Sequence, residues 1–318
     1  MPTLKLGTRG SALARVQADT VAAALAAAGW QAEIVVIRTS GDDTRDDAPF
    51  EGKGLFVKEL EAALLDGAID IAVHSSKDMP AMLADGLVVA AVLPRAEPRD
   101  ALVFGGDQAG VSAEDALAWL GPAPVIATSS PRRVAQLARV VPEARFVSIR
   151  GNVDTRLRRL DAGEVKALVL AGAGLHRLGL GHRVTAFLPP EICLPAAGQG
   201  IIAIEARAED GAALDAVGAL NDVTTMACLL AERAVVSRLG AGCQMPVGAF
   251  ATHASGTLTL RGLVIAPDGS RSARAEVSGP SERASAVGVE AAEQLLERGA
   301  APILEAIRAA EAPRINHP

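Results

Sequence analysis

Aromatic residues are scarce in this sequence of 318 residues: they make up 3% of the chain, and tyrosine is absent. Proteins that recognise single-stranded nucleic acid stack its bases on aromatic side chains, and this sequence has little material for such a surface. Acidic residues also outnumber basic ones, 37 against 31, which gives a formal net charge of −6. The composition does not favour a basic nucleic-acid-binding protein, and we expect no nucleic-acid partner.

Cysteine and long apolar runs are also scarce. The three cysteines, Cys193, Cys228 and Cys243, are widely spaced and form no Cys-x-x-Cys pair, so neither a zinc site nor a disulfide framework is indicated. No apolar run approaches the ~18 uninterrupted residues that a membrane span needs. The N-terminus lacks the basic start and apolar stretch of a signal peptide. We expect a soluble cytoplasmic protein with no metal site and no membrane partner.

The first 190 residues alternate strand-like and helix-like segments. Leu4–Leu6 is typical of a strand, and Ser11 then opens an alanine-rich helix that Gly29 ends. Regular β-α alternation predicts α/β lobes with mainly parallel sheets covered by helices. From about Asp210 onward, one or two helices precede three strands and further helices, which predicts a smaller α+β domain at the C-terminus.

Prolines divide the alternating region into two parts. Pro94 and Pro98 on one side, and Leu188–Pro190 on the other, bracket a segment of about one hundred residues. We predict a first domain formed by residues 1–95 and 191–208, a second domain formed by residues 96–190, and a third formed by residues 209–318. The chain would then cross twice between two lobes, and such an arrangement favours a hinge with a cleft.

The overall charge hides a local reversal. Eleven basic and four acidic residues lie between Arg132 and Arg183, so this segment carries a charge of +7. Arginine supplies 26 of the 31 basic residues of the chain. Its planar fork of donors binds carboxylate or phosphate in a bidentate way, which a lysine cannot do. No phosphate-binding glycine loop accompanies these arginines, so nucleotide binding is not supported.

Several arginines follow a predicted strand or open a predicted helix. Strand ends face the ligand crevice of α/β sheets, and helix N-termini attract anions. We therefore expect a ligand with several negative charges to bind Arg9, Arg132, Arg133, Arg150 and Arg156. We instead interpret five other arginines as parts of solvated helix faces: Arg139, Arg145, Arg158, Arg159 and Arg183.

A second polar motif, His74–Pro80, follows the predicted strand Ile69–Val73. Ionisable residues after a buried strand are costly unless they face a cleft. Asp78 is a candidate acid, base or cation stabiliser, and Lys77 a candidate partner for a carboxylate. A lysine–aspartate turn ended by Pro80 is the alternative.

Glycines flank Cys243 in the segment Gly240–Pro246, whereas Cys193 and Cys228 are expected to be buried in the core. Flexible glycines suggest a thiol that is presented to a cavity. The thiol is either a transient nucleophile or a permanent attachment point, and both interpretations stay open on the residues alone.

Taken together, these motifs resemble the porphobilinogen deaminase family. They occur in the order of that family and extend from residue 4 to about residue 250. Several independent motifs at compatible spacing are far more specific than one. The matching pieces are Gly7–Ser11, Gly52–Phe56, His74–Pro80, Thr128–Arg133, Arg150–Arg156, Leu194–Gly200 and Gly242–Gln244.

The resemblance implies a three-domain fold whose first two lobes are like periplasmic binding proteins. It also implies a dipyrromethane cofactor, built from two substrate units and joined by a thioether to the cysteine that matches Cys243. The implied enzyme is a transferase, a hydroxymethylbilane synthase of tetrapyrrole biosynthesis. It would add four porphobilinogen units stepwise, release ammonia at each addition, and hydrolyse the product from the retained cofactor. We expect a monomer.

The resemblance assigns roles residue by residue. Asp78 matches the catalytic aspartate, and Lys53 heads a loop that would cover the site. The implied cofactor-binding residues are Cys243, Lys77, Ser130, Arg132, Arg133 and Arg150, and the implied substrate-binding residues are Arg9, Ser11, Arg156 and Arg177. Departures from the family pattern are modest: Pro131 stands where an aliphatic residue is expected, and His176 where lysine is common.

Two rival functions remain. A non-enzymatic two-lobed protein that binds a polycarboxylate would need Arg9, Arg132 and Arg150 but neither Asp78 nor Cys243. A transferase with a cysteine nucleophile and no permanent cofactor is the second rival.

Overall fold

The computed structural model describes residues 3–38, 57–106, 108–242 and 244–311, and within these ranges it contains three β-sheets. The strands are β1 (Thr3–Arg9), β2 (Gln31–Ile37), β3 (Ile71–Ser75), β4 (Leu87–Val92), β5 (Asp100–Phe104), β6 (Val125–Ala127), β7 (Arg145–Val147), β8 (Ala167–Ala171), β9 (Ala186–Leu188), β10 (Ile202–Arg207), β11 (Val247–Ala254), β12 (Thr257–Ile265) and β13 (Ser272–Pro280). The α-helices are α1 (Ala12–Ala27), α2 (Lys58–Leu65), α3 (Ala113–Ala118), α4 (Pro131–Val140), α5 (Val153–Asp161), α6 (Gly172–Arg177), α7 (Gly211–Gly218), α8 (Val223–Arg238), α9 (Ala284–Leu295) and α10 (Ala301–Glu311).

The first sheet has the strand order β2-β1-β3-β10-β4. β1 pairs in parallel with β2 and β3, whereas β10 is antiparallel to both β3 and β4. The Ser11 hydroxyl caps α1 by accepting a hydrogen bond from the Ala14 N–H at 3.3 Å, as expected for serine at that position. Residues such as Leu6, Leu25 and Ile204 then bury α1 and α7 against the sheet.

The second sheet repeats this plan with the order β7-β6-β8-β5-β9. β6 is parallel to β7 and β8, and β5 is antiparallel to β8 and β9. Helices cover both faces: Leu102 and Ile126 belong to the core on one face, and Ile149 and Leu168 to the core on the other. In each lobe one strand, β10 or β5, is antiparallel to its neighbours, and it is the first strand after the chain has crossed from the other lobe.

The third sheet, β11-β12-β13, is antiparallel throughout and packs against α8, α9 and α10. The predicted class is therefore confirmed: two α/β lobes with mainly parallel sheets and a smaller α+β unit. The boundaries of the three domains at residues 95, 190 and 208 stay predictions.

The two crossings between the lobes run side by side. The Ala96 N–H donates to the Gly200 carbonyl at 3.1 Å, and Arg95 Nε donates to the Gln199 carbonyl at 2.9 Å. Arg95 Nη1 also contacts Glu232 Oε1 on α8 at 2.5 Å. The crossings therefore form one double connection that is joined to the third unit.

Glycine is required at position 198 of the second crossing. Its φ of +72° is unfavourable for other residues, and a Cβ atom there would lie 2.5 Å from Ser76 Oγ. The Gly198 N–H donates to Glu232 Oε2 at 2.6 Å. The short 3₁₀ turn Ser76–Asp78 thus rests directly on the second crossing.

Helices α7 and α8 follow each other closely in the chain, separated by four residues. In the described ranges, no single helix is long and apolar enough to cross a membrane. α7 and α8 meet that requirement only when counted together, and a bend of 116° separates them. Their residues Ala213, Val217 and Val235 are buried in the protein core.

The contact between α8 and α9 generates a stability prediction. A Cβ atom at Gly288 would lie 2.2 Å from the Ala231 carbonyl oxygen and 2.6 Å from Ala234 Cβ. Gly288→Ala should lower the free energy of unfolding by about 1–3 kcal/mol, because the helices must separate. Urea denaturation followed by circular dichroism measures this change.

Gly218→Ala is the matched control, since no described atom lies within 4 Å of a Cβ atom added there. Its free energy of unfolding should stay the same or rise by up to about 1 kcal/mol. Equal losses in both variants would contradict the close approach of α8 and α9.

Candidate functional site

The predicted ligand-binding residues lie at strand ends that face each other across the two lobes. In the first lobe, Arg9 ends β1 and the turn Ser76–Asp78 follows β3. Helix α1 of this lobe contacts α6 of the second lobe, where a Cβ atom at Gly174 would lie 3.6 Å from Leu13 Cδ2. The second lobe contributes residues that follow β6, β7 and β8, namely Ser130, Arg132, Arg133, Arg150, Arg156 and Arg177.

The turn after β3 presents one carboxylate and one amine. Asp78 is exposed, whereas Lys77 is half-buried. Burial lowers the pKa of Lys77 to about 8; Asp78 opposes this shift, and Arg133 of the other lobe adds to it. Charges of both lobes therefore act on the Lys77 amine.

The first residue of the same motif has a different place. His74 is buried, and its Nε2 lies 2.9 Å from Glu205 Oε2 on β10. Ser75 next to it exchanges hydrogen bonds with Gln17 of α1 at 2.9 and 3.0 Å. These contacts fix the end of β3 within the first lobe, and they leave Lys77 and Asp78 as the members of the motif that reach the cleft.

The helix N-termini at the cleft differ in their caps. Asn152 caps α5 through its side chain, which accepts from the Thr155 N–H at 3.0 Å. Ser130 precedes α4, whose first residue is Pro131, and among the described residues its side chain makes no capping hydrogen bond. Pro131 has no N–H, and the Arg133 N–H donates to the Ser130 carbonyl at 3.0 Å. The first turn of α4 therefore offers the Arg132 N–H and the Ser130 hydroxyl to an anion.

Arg132 and Arg133 in this first turn are buried and paired with Asp100. Arg132 Nη1 lies 2.7 Å from Asp100 Oδ2, and Arg133 Nη2 lies 2.8 Å from Asp100 Oδ1. Their charges nevertheless reach the cleft, since both lower the pKa of Lys77. The pair thus supplies positive potential from just beneath the surface of the cleft.

Arg156 and Arg177 are half-buried at the cleft and are held by backbone carbonyls. Arg156 Nε donates to the Gly151 carbonyl at 2.9 Å, and Arg177 Nη2 donates to the Gly200 carbonyl at 2.7 Å. Burial lowers the pKa of Arg177 to about 10. Burial and then the charge of Arg133 lower the pKa of Arg156, whereas Asp78 raises it. These guanidiniums are only partly solvated, which strengthens their attraction for an anion.

Arg9, Ser11 and Arg150 complete the predicted set, and all three are half-buried. Two predicted residues, Lys53 and Cys243, lie outside the described residues.

Cys193 and Cys228 are buried, as predicted, and burial raises the pKa of their thiols to about 12 and about 11. Chemically, the cleft combines many cations from two lobes with one exposed carboxylate.

Three residues with central contacts were missed in the sequence: Asp100, Gln199 and Glu232. Each is a polar residue with no exposed surface. Asp100 precedes the apolar run Ala101–Phe104, and an acidic residue before such a run is a signal that could have been used. The arginine partners of Asp100 lie 32 or more residues away in the chain, so these contacts could not be inferred from the sequence.

Comparison with known proteins gives one consistent result. The family model described as the dipyrromethane cofactor binding domain of porphobilinogen deaminase matches residues 4–215, and the model of the C-terminal domain of porphobilinogen deaminase matches residues 226–297. A porphobilinogen deaminase of Chromobacterium violaceum is 46% identical over 313 residues, which cover 97% of this chain and 99% of that one. A porphobilinogen deaminase of Desulforudis audaxviator is 46% identical over 96% of this chain and 97% of that one.

Solved structures similar in fold include a putative methionine-binding lipoprotein of Bacillus subtilis. It is 13% identical, with a TM-score of 0.41 over 69% of this chain and 89% of that chain. A methionine-binding protein is similar at 15% identity and a TM-score of 0.42, over 67% of this chain and 87% of that one.

The position of Lys77 generates a titration prediction. Only a neutral amine reacts with a small acylating reagent, so labelling of Lys77 should rise with a midpoint near pH 8. Asp78→Asn should lower that midpoint further, because the Asp78 carboxylate stabilises the charged amine. Peptide mass spectrometry after brief labelling at a series of pH values measures both curves.

A lysine-containing model peptide added to the same samples gives the reference curve. A Lys77 midpoint at the value of an ordinary lysine, about 10.4, would contradict the buried, cation-rich environment.

Proposed function

The chain belongs to the porphobilinogen deaminase family, and from this premise we propose which of its residues carry out the reaction of that family. The enzyme is a hydroxymethylbilane synthase, a transferase that uses a dipyrromethane cofactor and acts on porphobilinogen. Each addition breaks a carbon–nitrogen bond as ammonia leaves and forms a carbon–carbon bond to the growing chain. The observation that carries the assignment of roles is the exposed Asp78 carboxylate within a cleft of arginines from two lobes.

The cations of the cleft fit the charge of the ligands. Porphobilinogen carries an acetate and a propionate, so every ring brings two carboxylates to the site. Half-buried guanidiniums bind such groups in a bidentate way and keep their charge at any physiological pH. We assign the cofactor carboxylates to Lys77, Ser130, Arg132, Arg133 and Arg150, and the substrate carboxylates to Arg9, Ser11, Arg156 and Arg177.

Within the cofactor set the contacts differ. The Ser130 hydroxyl and the Arg132 N–H offer donors for direct hydrogen bonds, whereas the guanidiniums of Arg132 and Arg133 already pair with Asp100. The two buried arginines therefore contribute chiefly through their charge, and the half-buried Arg150 through direct contact. Anions at a helix N-terminus gain from both its N–H groups and its dipole.

Asp78 is the proposed catalytic residue. Its carboxylate accepts hydrogen bonds from pyrrole N–H groups and lies where positive charge develops on the substrate as ammonia departs. A fixed negative charge at that place lowers the energy of the transition state. Transfer of a proton to the leaving amine would add general acid catalysis.

Cys243 is the proposed attachment point of the cofactor. Its neighbours in sequence, Gly242 and Gln244, lie between the end of α8 and the start of β11. The donor set of the described residues fits a group with several carboxylates, since α4 offers an uncapped N-terminus beside a buried pair of arginines. When bound, the dipyrromethane supplies the pyrrole nucleophile that begins chain growth.

The rival interpretations have less support. A non-enzymatic binding protein has no use for Asp78, and it does not account for the match of a deaminase family model to the third unit. A cysteine transferase without a permanent cofactor does not account for the match to a domain described as binding dipyrromethane. We further propose that the protein is a cytoplasmic monomer with neither nucleic-acid nor membrane partners.

Substitution of the carboxylate tests the proposed catalytic role. Asp78→Asn keeps the shape of the side chain but removes its charge, so turnover of porphobilinogen should fall by about 100-fold or more. Ammonia release from porphobilinogen measures the rate, and circular dichroism verifies folding.

The matched control is Asp85→Asn, which changes an exposed aspartate seven positions along the chain. Its rate should stay within about twofold of the unchanged enzyme, as is usual for surface positions. Full activity of Asp78→Asn would remove Asp78 from the reaction.

The intact mass tests the covalent cofactor. Purified protein under denaturing conditions should carry a mass excess equal to two linked pyrrole units, and Cys243→Ser should lose this excess. Cys228→Ser, at a buried cysteine of α8, is the control and should keep it.

A preparation without any excess is tested by incubation with porphobilinogen, which should restore the adduct on the unchanged chain. A protein that stays at its sequence mass after this incubation would contradict the proposal.

A further inference from the structure

Asp100, the first residue of β5, has a completely buried carboxylate whose two oxygens both accept from protein donors. Oδ2 accepts from Arg132 Nη1 at 2.7 Å and from the Cys193 thiol at 3.2 Å. Oδ1 accepts from Arg133 Nε at 2.9 Å and from Gln199 Nε2 at 2.9 Å. A buried carboxylate with so many donors holds each of them in one geometry.

The balance of charge in this cluster is unusual. Burial alone would raise the pKa of the Asp100 carboxyl, but the Arg132 and Arg133 guanidiniums outweigh burial and hold it well below its usual range. The cluster therefore contains two cations and one anion and carries a net charge of +1. Loss of the anion would leave two like charges buried side by side without a counterion.

The cluster also reaches both crossings between the lobes. Gln199 Nε2 donates to the Pro98 carbonyl at 2.7 Å, which connects the second crossing to the first. Arg132 Nη1 donates to the Leu194 carbonyl at 2.6 Å, and Gln136 of the same helix accepts from the Leu194 N–H at 2.8 Å. The first two turns of α4 are therefore attached to both crossings.

Residues further along α4 are held by the third unit. A Cβ atom at Gly269, in the turn between β12 and β13, would lie 2.8 Å from the Ala135 carbonyl oxygen. Arg139 Nη1 donates to Ser272 Oγ at 3.0 Å. Helix α4 thus has little freedom, and the direction of its two arginines is set by the Asp100 carboxylate.

We infer that Asp100 is a positioning residue: its carboxylate holds Arg132 and Arg133 at fixed places beneath the cleft and ties them to both crossings between the lobes. Arg132 is the anchoring member of the pair, because its Nη1 and Nη2 atoms contact Asp100, the Leu194 carbonyl and Gln199 Oε1. This inference deepens the proposed function and rests on it, since fixed cations matter for a ligand with carboxylates.

The effects of position and of charge can be separated at Asp100. Asp100→Asn makes the cleft more positive by one unit. If the cluster acted only through its field, a polycarboxylate ligand would bind more tightly and KM would fall. If Asp100 acts by position, Arg132 and Arg133 lose their fixed places and KM rises although the charge has become more favourable.

Steady-state turnover of porphobilinogen by the holoenzyme distinguishes these cases. For Asp100→Asn we expect KM to rise by about tenfold or more, with a smaller fall in kcat. Asp161→Asn is the matched control, because it removes an aspartate that pairs with Arg183 at 2.6 Å on the surface of the same lobe. Its KM should change by less than about twofold. A KM for Asp100→Asn that is unchanged or lower overturns the inference.

A second measurement needs no substrate. The negative charge of Asp100 raises the pKa of Lys77, and the positive charge of Arg132 lowers it. The acylation midpoint of Lys77 should therefore fall in Asp100→Asn and return toward its original value in Asp100→Asn with Arg132→Gln, where the net charge is +1 again. Absence of this return overturns the pairing of Arg132 with Asp100 next to Lys77.

The two measurements also separate this inference from the proposed function. If the unchanged enzyme does not turn over porphobilinogen, the proposed function fails, and the Lys77 midpoints still test the cluster. If Asp100→Asn does not fold, Arg132→Gln replaces it, because Asp100 then keeps its pair with Arg133. In that variant the midpoint of Lys77 should rise and KM should rise; an unchanged KM overturns the role of Arg132 as anchor.

Discussion

The contacts of one buried carboxylate, that of Glu232, determine how the three units fit together. Oε1 accepts from Arg95 of the first crossing and from the Ala251 N–H of β11, and Oε2 accepts from the Gly198 N–H of the second crossing. An unpaired carboxylate in such a place would be very costly, so each partner must be present for the others to be stable. Since Gly198 also touches Ser76, the turn that carries Asp78 takes its position from this same point. The two crossings, the turn of the first lobe and the third unit therefore meet at the Glu232 carboxylate.

The electrostatics of the cleft follow from this packing. Basic side chains lie close together where the strand ends of the two lobes approach each other, and they repel one another. The carboxylates of Asp78 at the surface and of Asp100 beneath it offset part of this repulsion. Burial lowers the pKa of both Lys77 and Arg177, so solvent stabilises these two cations only in part. In the proposed function, the carboxylates of the ligand complete the balance. A cleft that is incompletely neutralised by the protein is well suited to an anion that gains two charges with each added ring.

Much of this architecture could be predicted from the sequence, because its strongest signals are local. The Ser11 cap and the alanine-rich pattern located α1, and the predicted strand Leu4–Leu6 lies within β1. The strands β5 and β9 and the helix α6 were not predicted. β9 has only three residues and α6 only six, which is too few for a clear periodic pattern. The residues of the site were selected by position after strands. Of these, Lys77 and Asp78 of the first lobe lie near Arg133 and Arg156, respectively, of the second lobe. The buried cluster around Asp100 depends on residues far apart in the chain, and no local pattern encodes it.

The place of β10 has a consequence for the order in which the protein assembles. This strand lies between β3 and β4, although about a hundred residues separate it from them in sequence. The first sheet therefore stays open during synthesis until residue 207 has emerged from the ribosome, whereas the second sheet is complete at residue 188. Local contacts form before distant ones, since closing a long loop costs entropy. The arginine-rich lobe can thus fold as a unit while the lobe with the aspartate waits for its central strand, and the nascent chain must keep the edges of β3 and β4 from pairing elsewhere.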